Sequence, residues 1–148
     1  MTHPFRFGLQ LDAPFPGRTW AESAREVEEL GYSTLFVEDH LDGGPGPIAG
    51  MAAAAAVTST LRVGSLVLAC DYRHPAILAR ELATIDAISN GRLEVGIGAG
   101  WKRLDYERSG LAMDAPGVRV GRMIEHARIL KALFAEEPVT FAGEDRKS

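Results

Sequence analysis

Thr34-Leu35-Phe36-Val37-Glu38-Asp39-His40 reads as a short buried strand that runs, with no turn between, into three titratable side chains. An apolar strand of this length, flanked by helical segments, is the kind found in a parallel sheet covered by helices. The polar cluster then falls at the strand's carboxyl end, where folds of this class bind their ligands.

The flanking sequence repeats the pattern. Upstream, Phe5, Phe7, Leu9 and Leu11 alternate with Arg6, Gly8 and Gln10, the period of a strand. Asp12 to Gly17 is a Pro/Gly turn. Thr19 and Glu22 form a capping box ahead of Trp20, Ala24 and Val27, and Gly31 is a left-handed stop. Downstream, the Gly/Pro loop from Gly43 to Gly50 leads to a helix through Met51 and Ala52 to Ala56, alanine being the best helix former. Arg62 to Ala69 is a third strand. Pro75 suits the first turn of a helix with the stripe Leu78, Leu82, Ile85 and Ile88, ended by Asn90-Gly91. Leu93 to Gly98 is a fourth strand, followed by a polar loop with a short helix near Asp105. A last helix spans about Val118 to Phe134, with Val120, Met123, Ile124, Ala127, Leu130 and Phe134 as its expected apolar stripe. Val139 to Phe141 has the residues to begin a further strand, and Gly143 to Ser148 is polar.

Four strand-then-helix units joined by right-handed crossovers fit two architectures. One is a doubly wound domain of flavodoxin type, which has about this length. The other is half of a (β/α)8 barrel, which takes roughly 250 residues for eight units. The pattern alone does not choose between them.

Composition narrows the function. The 148 residues are 46% hydrophobic and 24% charged, the balance of a globular domain, and the net charge of −4 lacks the basic footprint of a nucleic-acid binder. No apolar run reaches the roughly 18 residues of a membrane span, and Met1 to Arg6 carries no signal core. A single cysteine forms no internal disulfide, so the expectation is a cytoplasmic protein bound to neither nucleic acid nor membrane.

The four strand ends are Gln10 to Asp12, Glu38 to His40, Ala69 to Tyr72 and Gly98 to Trp101. His40 is suited to proton transfer, with a neighbouring carboxylate to orient it. Gly96-Ile97-Gly98-Ala99-Gly100 departs from the dinucleotide fingerprint, its third glycine falling one position early and on the fourth strand. Those glycines admit either a flat ligand or close backbone contact within a barrel. Cys70 reads as a small buried hydrophobe, and His74 as a residue that satisfies backbone at a helix start. His3 and His126 take no role, and no residue set has metal-ligand spacing. Trp101 either floors a cofactor pocket or covers the barrel end.

Three segments carry a resemblance to a known family: Phe36-Val37-Glu38-Asp39-His40, Val67-Leu68-Ala69-Cys70-Asp71-Tyr72-Arg73-His74-Pro75, and Gly91-Arg92-Leu93-Glu94-Val95-Gly96-Ile97-Gly98-Ala99-Gly100-Trp101. From Phe5 to about Gly143 the chain resembles the luciferase-like monooxygenase superfamily, in particular its deazaflavin (coenzyme F420)-dependent oxidoreductases. The resemblance implies a partial (β/α)8 TIM barrel, with residues 1–148 as the N-terminal half of the barrel domain.

It further implies coenzyme F420, or alternatively FMN, as cofactor, and hydride transfer to or from a small organic substrate. Asp39 and His40 match the strand-two position whose side chains face the cofactor ring and assist proton transfer. Ala69, Cys70 and Asp71 match the end of strand three, where relatives hold a non-proline cis peptide behind the ring. Gly98 and Gly100 match the positions where backbone meets the ring edge. Trp101 stands where some relatives carry an acid that acts on substrate. Family members continue for about as many residues again, so the expectation extends to a homo-oligomer or a complementing C-terminal half. The alternative is a truncated, non-catalytic remnant or half-barrel assembly subunit. A flavodoxin-like binding domain ranks last, since Pro14 and Pro16 occupy the loop where phosphate-binding N–H groups would be needed.

Overall fold

Strands and helices alternate along the chain in a computed structural model that describes residues 5–135 and 139–143. The strands are β1 (Gly8–Gln10), β2 (Thr34–Val37), β3 (Arg62–Ser65), β4 (Leu68–Ala69), β5 (Leu93–Glu94) and β6 (Ile97–Gly98). The helices are α1 (Trp20–Glu29), α2 (Pro47–Val57), α3 (Pro75–Ser89), α4 (Arg103–Ser109) and α5 (Pro116–Leu133). Every strand pairing is parallel, in the order β1-β2-β3-β5, with β4 and β6 as a separate pair. Consecutive parallel strands linked through helices make four βα units of a barrel.

The expected third and fourth strands are each broken in two. At the break, Leu66 N–H donates to the Val37 carbonyl at 3.0 Å, and the Ser65 hydroxyl both donates to the Gly96 carbonyl and accepts from the Gly96 N–H at 3.0 Å. One side chain there replaces the ladder bonds the interruption removes. The cis peptide expected at Ala69 to Asp71 lies instead between Leu66 and Val67, within this break.

Local signals place the helices as expected. Thr19 N–H donates to Glu22 at 2.7 Å and Glu22 N–H to the Thr19 hydroxyl at 3.2 Å, completing the capping box of α1. The His74 ring accepts from Ala76 N–H at 3.3 Å at the start of α3, and Asn90 and Gly91, both at positive φ, end it. The alanines of α2 let it lie close between α1, α3 and the sheet, with Met51, Ala54 and Ala55 buried. The core forms where Leu35, Val37, Val63 and Leu68 of the sheet meet Ala24, Val27, Leu78, Leu82 and Ile85 of the helices. Toward the other face, Phe36 spans both neighbouring strands; a Cβ at Gly8 or Gly64 would come within 2.5 or 2.8 Å of its ring. Glu94 accepts there from Arg62 at 2.6 Å, Arg6 at 3.1 Å and Thr34 at 3.2 Å.

Three expectations about apolar faces are corrected. In α3 the buried stripe ends on Ser89, and Ile88 is exposed, because the spacing from Leu78 through Leu82 and Ile85 brings residue 89 inward. In α5 the buried residues are Arg119, His126, Ile129 and Leu130; Val120, Ile124 and Phe134 are exposed. That helix packs on α3 and β6, which turns its polar-looking side toward the protein. Phe5 and Phe7 are exposed because β1 pairs only over Gly8 to Gln10. Val139 to Phe141 forms no strand, while His3 and residues 144–148 lie outside the described residues. No helix among the described residues is long and apolar enough to cross a membrane.

Candidate active site at the strand ends

The carboxyl ends of β2, β4 and β6 converge on one cavity of about 270 Å3. Glu38, Asp39, His40, Tyr72 and Asp105 give it a polar side; Leu66, Val67, Ala69, Ala99 and Trp101 give it an apolar one. Of the residues singled out in the sequence, Asp39, His40, Ala69, Gly98, Gly100 and Trp101 line this cavity together. Cys70 and Asp71 do not. The Cys70 side chain is buried, its sulfur 3.6 Å from Asp71, and Asp71 turns to the helices behind the wall.

His40 and Asp39 are adjacent in sequence and separate in their partners. The Asp39 carboxylate accepts two bonds from Arg73, at 2.6 and 3.0 Å, and one from Ala69 N–H at 3.0 Å, which ties the end of β2 to the end of β4. The carboxylate that meets His40 is Asp105, in the first turn of α4, with 2.6 Å between Nδ1 and Oδ2. Its other oxygen accepts from Leu41 N–H at 3.2 Å. Burial alone would raise the Asp105 carboxyl, but its bonds to the His40 ring and to Leu41 N–H and the nearby charge of Lys102 outweigh burial and hold it below the usual carboxylate range. Tyr72, also in the wall, has its phenol pushed up by burial and by Asp105. Glu38 accepts from the Gln10 amide at 2.9 Å.

Trp101 is 72% exposed and sets its ring edge-on to His40, centroids 5.6 Å apart and planes at 88°. The loop that carries it is held from behind. Tyr106 donates to Asp71 at 2.6 Å, Arg122 to Asp71 at 2.7 Å and to Asp114 at 2.6 Å, and Arg119 donates to the Gly100 carbonyl. Burial, then the bond to Asp71 and its charge, push the Tyr106 phenol up to about 12. Gly100 has φ +71, and a Cβ there would run into the Tyr106 hydroxyl. Gly98 and Gly100 therefore make room for the side chains of Val67 and Tyr106.

Asp105 and Arg73 were not singled out from sequence, and Tyr72 only as the last residue of the third strand end. Asp105 lies 65 residues from His40, and only the topology shows that α4 returns over the end of β2. The signal present was the titratable residue in the loop after a strand end, the position where barrels place their chemistry.

The cavity's volume lies just below the usual range of small-molecule pockets, and its lining combines apolar side chains with hydrogen-bonding groups. A parallel sheet whose βα units lie side by side in chain order, with this cavity at the strand ends, is the arrangement of a barrel-type α/β protein, of which four units are present. The profile described as luciferase-like monooxygenase matches residues 1–147. The chain belongs to that family. It is 33% identical over 150 residues to an F420-dependent glucose-6-phosphate dehydrogenase of Nakamurella multipartita, an alignment covering 95% of this chain and 44% of that protein. Among solved structures, it matches the coenzyme F420-dependent tetrahydromethanopterin reductase of Methanopyrus kandleri with a TM-score of 0.81 and 25% identity, over 97% of this chain and 44% of that one. The monooxygenase RslO1 of Streptomyces bottropensis matches with a TM-score of 0.79 and 27% identity, over 97% and 47%. The chain thus spans less than half the length of each of these three proteins.

Proposed function

We propose that the chain carries the ring-binding and proton-handling part of an oxidoreductase that works on a small organic substrate with coenzyme F420, FMN being the alternative. The single observation behind this reading is that His40, Trp101 and the apolar wall from Leu66 to Ala69 border one cavity at the strand ends. The dependence on F420 of the dehydrogenase and the reductase above supports F420 over FMN. When bound, such a cofactor supplies the ring atom that gives or takes a hydride. Leu66, Val67, Ala69 and Ala99 offer an apolar surface for the ring, and Trp101 limits water on its open side. His40 gives or takes the proton that accompanies hydride transfer. Asp39 serves that site by holding the ends of β2 and β4 together through Arg73 and Ala69. Gly98 and Gly100 keep the fourth strand end close, and Cys70 and Asp71 shape the wall from behind. A reducing cytoplasm suits the single cysteine.

Open edges favour a second reading, a half-barrel completed by another half. Among the described residues β1 pairs only with β2 and β5 only with β3, while Phe5, Phe7 and Val95 are exposed beside these edges. Another copy of the chain or a complementing C-terminal half would cover them. The test of the main reading is thermal unfolding of the chain with F420 and with FMN in turn, since a ligand of the folded state raises the midpoint. A rise with F420 is expected. No rise with either cofactor refutes the reading, and a rise with FMN alone changes the cofactor.

A further inference from the structure

We propose that Asp105 is the positioning residue of His40: it holds the imidazole as the Nδ1–H tautomer and leaves Nε2 as the unprotonated nitrogen available to a molecule in the cavity. The inference rests on the reading of His40 as the proton-handling group.

Four observations carry it. The Asp105 side chain is 2% exposed, and its Oδ2 stands 2.6 Å from His40 Nδ1, the length of a strong charge-assisted bond. An ionised carboxylate only accepts, so the ring nitrogen that meets it carries the proton. Oδ1 of the same carboxylate accepts from Leu41 N–H, the residue after His40, so one group fixes both the ring and the backbone that carries it. Asp39, the carboxylate next in sequence, has its oxygens taken by Arg73 and Ala69 N–H. On the other side, the edge-on contact with Trp101 limits ring rotation. A histidine whose Nδ1–H is held by a buried carboxylate presents Nε2 as a base.

The experiment is 15N NMR of the full chain labelled at histidine, above the pH at which histidine protonates and with no cofactor present. In the wild type, His40 Nδ1 is expected to show the pyrrole-like shift of a protonated nitrogen and Nε2 the pyridine-like shift of a bare one. Asp105→Asn is expected to exchange the two shifts, and Asp105→Glu to restore them, with His74 and His126 unmoved as internal controls. A wild-type His40 protonated on Nε2, or an unchanged tautomer in a folded Asp105→Asn, overturns the proposal. If Asp105→Asn does not fold by circular dichroism, the wild-type spectrum and Asp105→Glu decide it. Because this measurement needs no cofactor, its failure is separate from a failure of F420 or FMN to raise the melting midpoint.

Discussion

The Val67 side chain occupies the space that a side chain at Gly98 would need: a Cβ built on Gly98 lies 2.5 Å from Val67 Cγ2. The same valine stands 2.9 Å from a Cβ built on Gly96, where the Ser65 carbonyl oxygen is nearer still at 2.5 Å, so the break between β3 and β4 crowds both glycines of the neighbouring strand segment. Valine has little rotamer freedom with which to yield. Gly98→Ala is expected to cost about 1–3 kcal/mol through overpacking. Adding Val67→Ala to that variant should cost less than Val67→Ala alone, because it opens the space the new methyl needs. Denaturant midpoints of the four proteins in a double-mutant cycle measure this coupling; strict additivity would mean that the two residues do not compete for space.

Acid should weaken the protein through Asp71. Burial alone would raise this carboxyl, but the bonds from Arg122 and Tyr106 and the Arg122 charge hold it below its ordinary value. A carboxylate whose folded pKa lies below its unfolded value of about 3.9 stabilises the fold fully above that pH and loses the contribution as pH falls through the folded value. Asp71→Asn is therefore expected to be less stable than wild type at pH 7, with the difference narrowing below about pH 4. Urea midpoints from pH 7 to pH 2 check this. A difference that stays constant across the range would mean that the Asp71 charge contributes nothing.

Much of this fold was legible because it is written in local chemistry. Thr19 with Glu22, Pro75 and Asn90-Gly91 each mark a helix boundary through a backbone bond or dihedral that neighbouring residues determine. The mouth of the site was legible for the same reason, since strand ends are local and Glu38 to His40, Ala69 and Gly98 to Trp101 all reach it. What sequence could not show depends on the path of the chain. Asp105 meets His40 because α4 returns to the residues after the end of β2, and Asp71 faces Arg122 because α5 docks behind the wall. The exposed Val120 and Ile124 of α5 mislead a periodicity reading, because the side docked on α3 carries Arg119 and His126.

Arg92 is expected to resist substitution by lysine. Its guanidinium donates to the carbonyls of Ser89 (2.6 Å), Ala55 (2.8 Å), Thr58 (3.0 Å) and Leu61 and to the Thr58 hydroxyl (3.0 Å), tying the end of α2 to the turn that enters β5. Lysine keeps the charge but cannot place five donors in a rigid fork. Carbonyls left without a donor cost about 1–3 kcal/mol each where water does not reach them. Arg92→Lys should therefore lower stability by about 2 kcal/mol or more, read as a fall in urea midpoint. A change within about 0.5 kcal/mol, the usual range for surface substitutions, would show that water replaces the fork.

Trp101 separates stability from binding. With 72% of its surface exposed and its contact to His40 edge-on, it contributes little buried area to the fold. Trp101→Ala should change stability by no more than about 0.5 kcal/mol, as exposed substitutions generally do. If Trp101 closes the open side of the ring pocket, the same variant should weaken F420 binding about tenfold, since loss of an aromatic contact of about 1 kcal/mol together with its shielded area comes near the 1.4 kcal/mol of one decade. Trp101→Phe should recover most of the loss, because it keeps an aromatic face in place. Fluorescence titration of F420 against the three proteins measures the affinities, and thermal unfolding without ligand measures stability. Unchanged affinity in Trp101→Ala would assign the residue to covering the barrel end rather than to the pocket, while a large loss of stability would show that the edge contact with His40 belongs to the core of the fold.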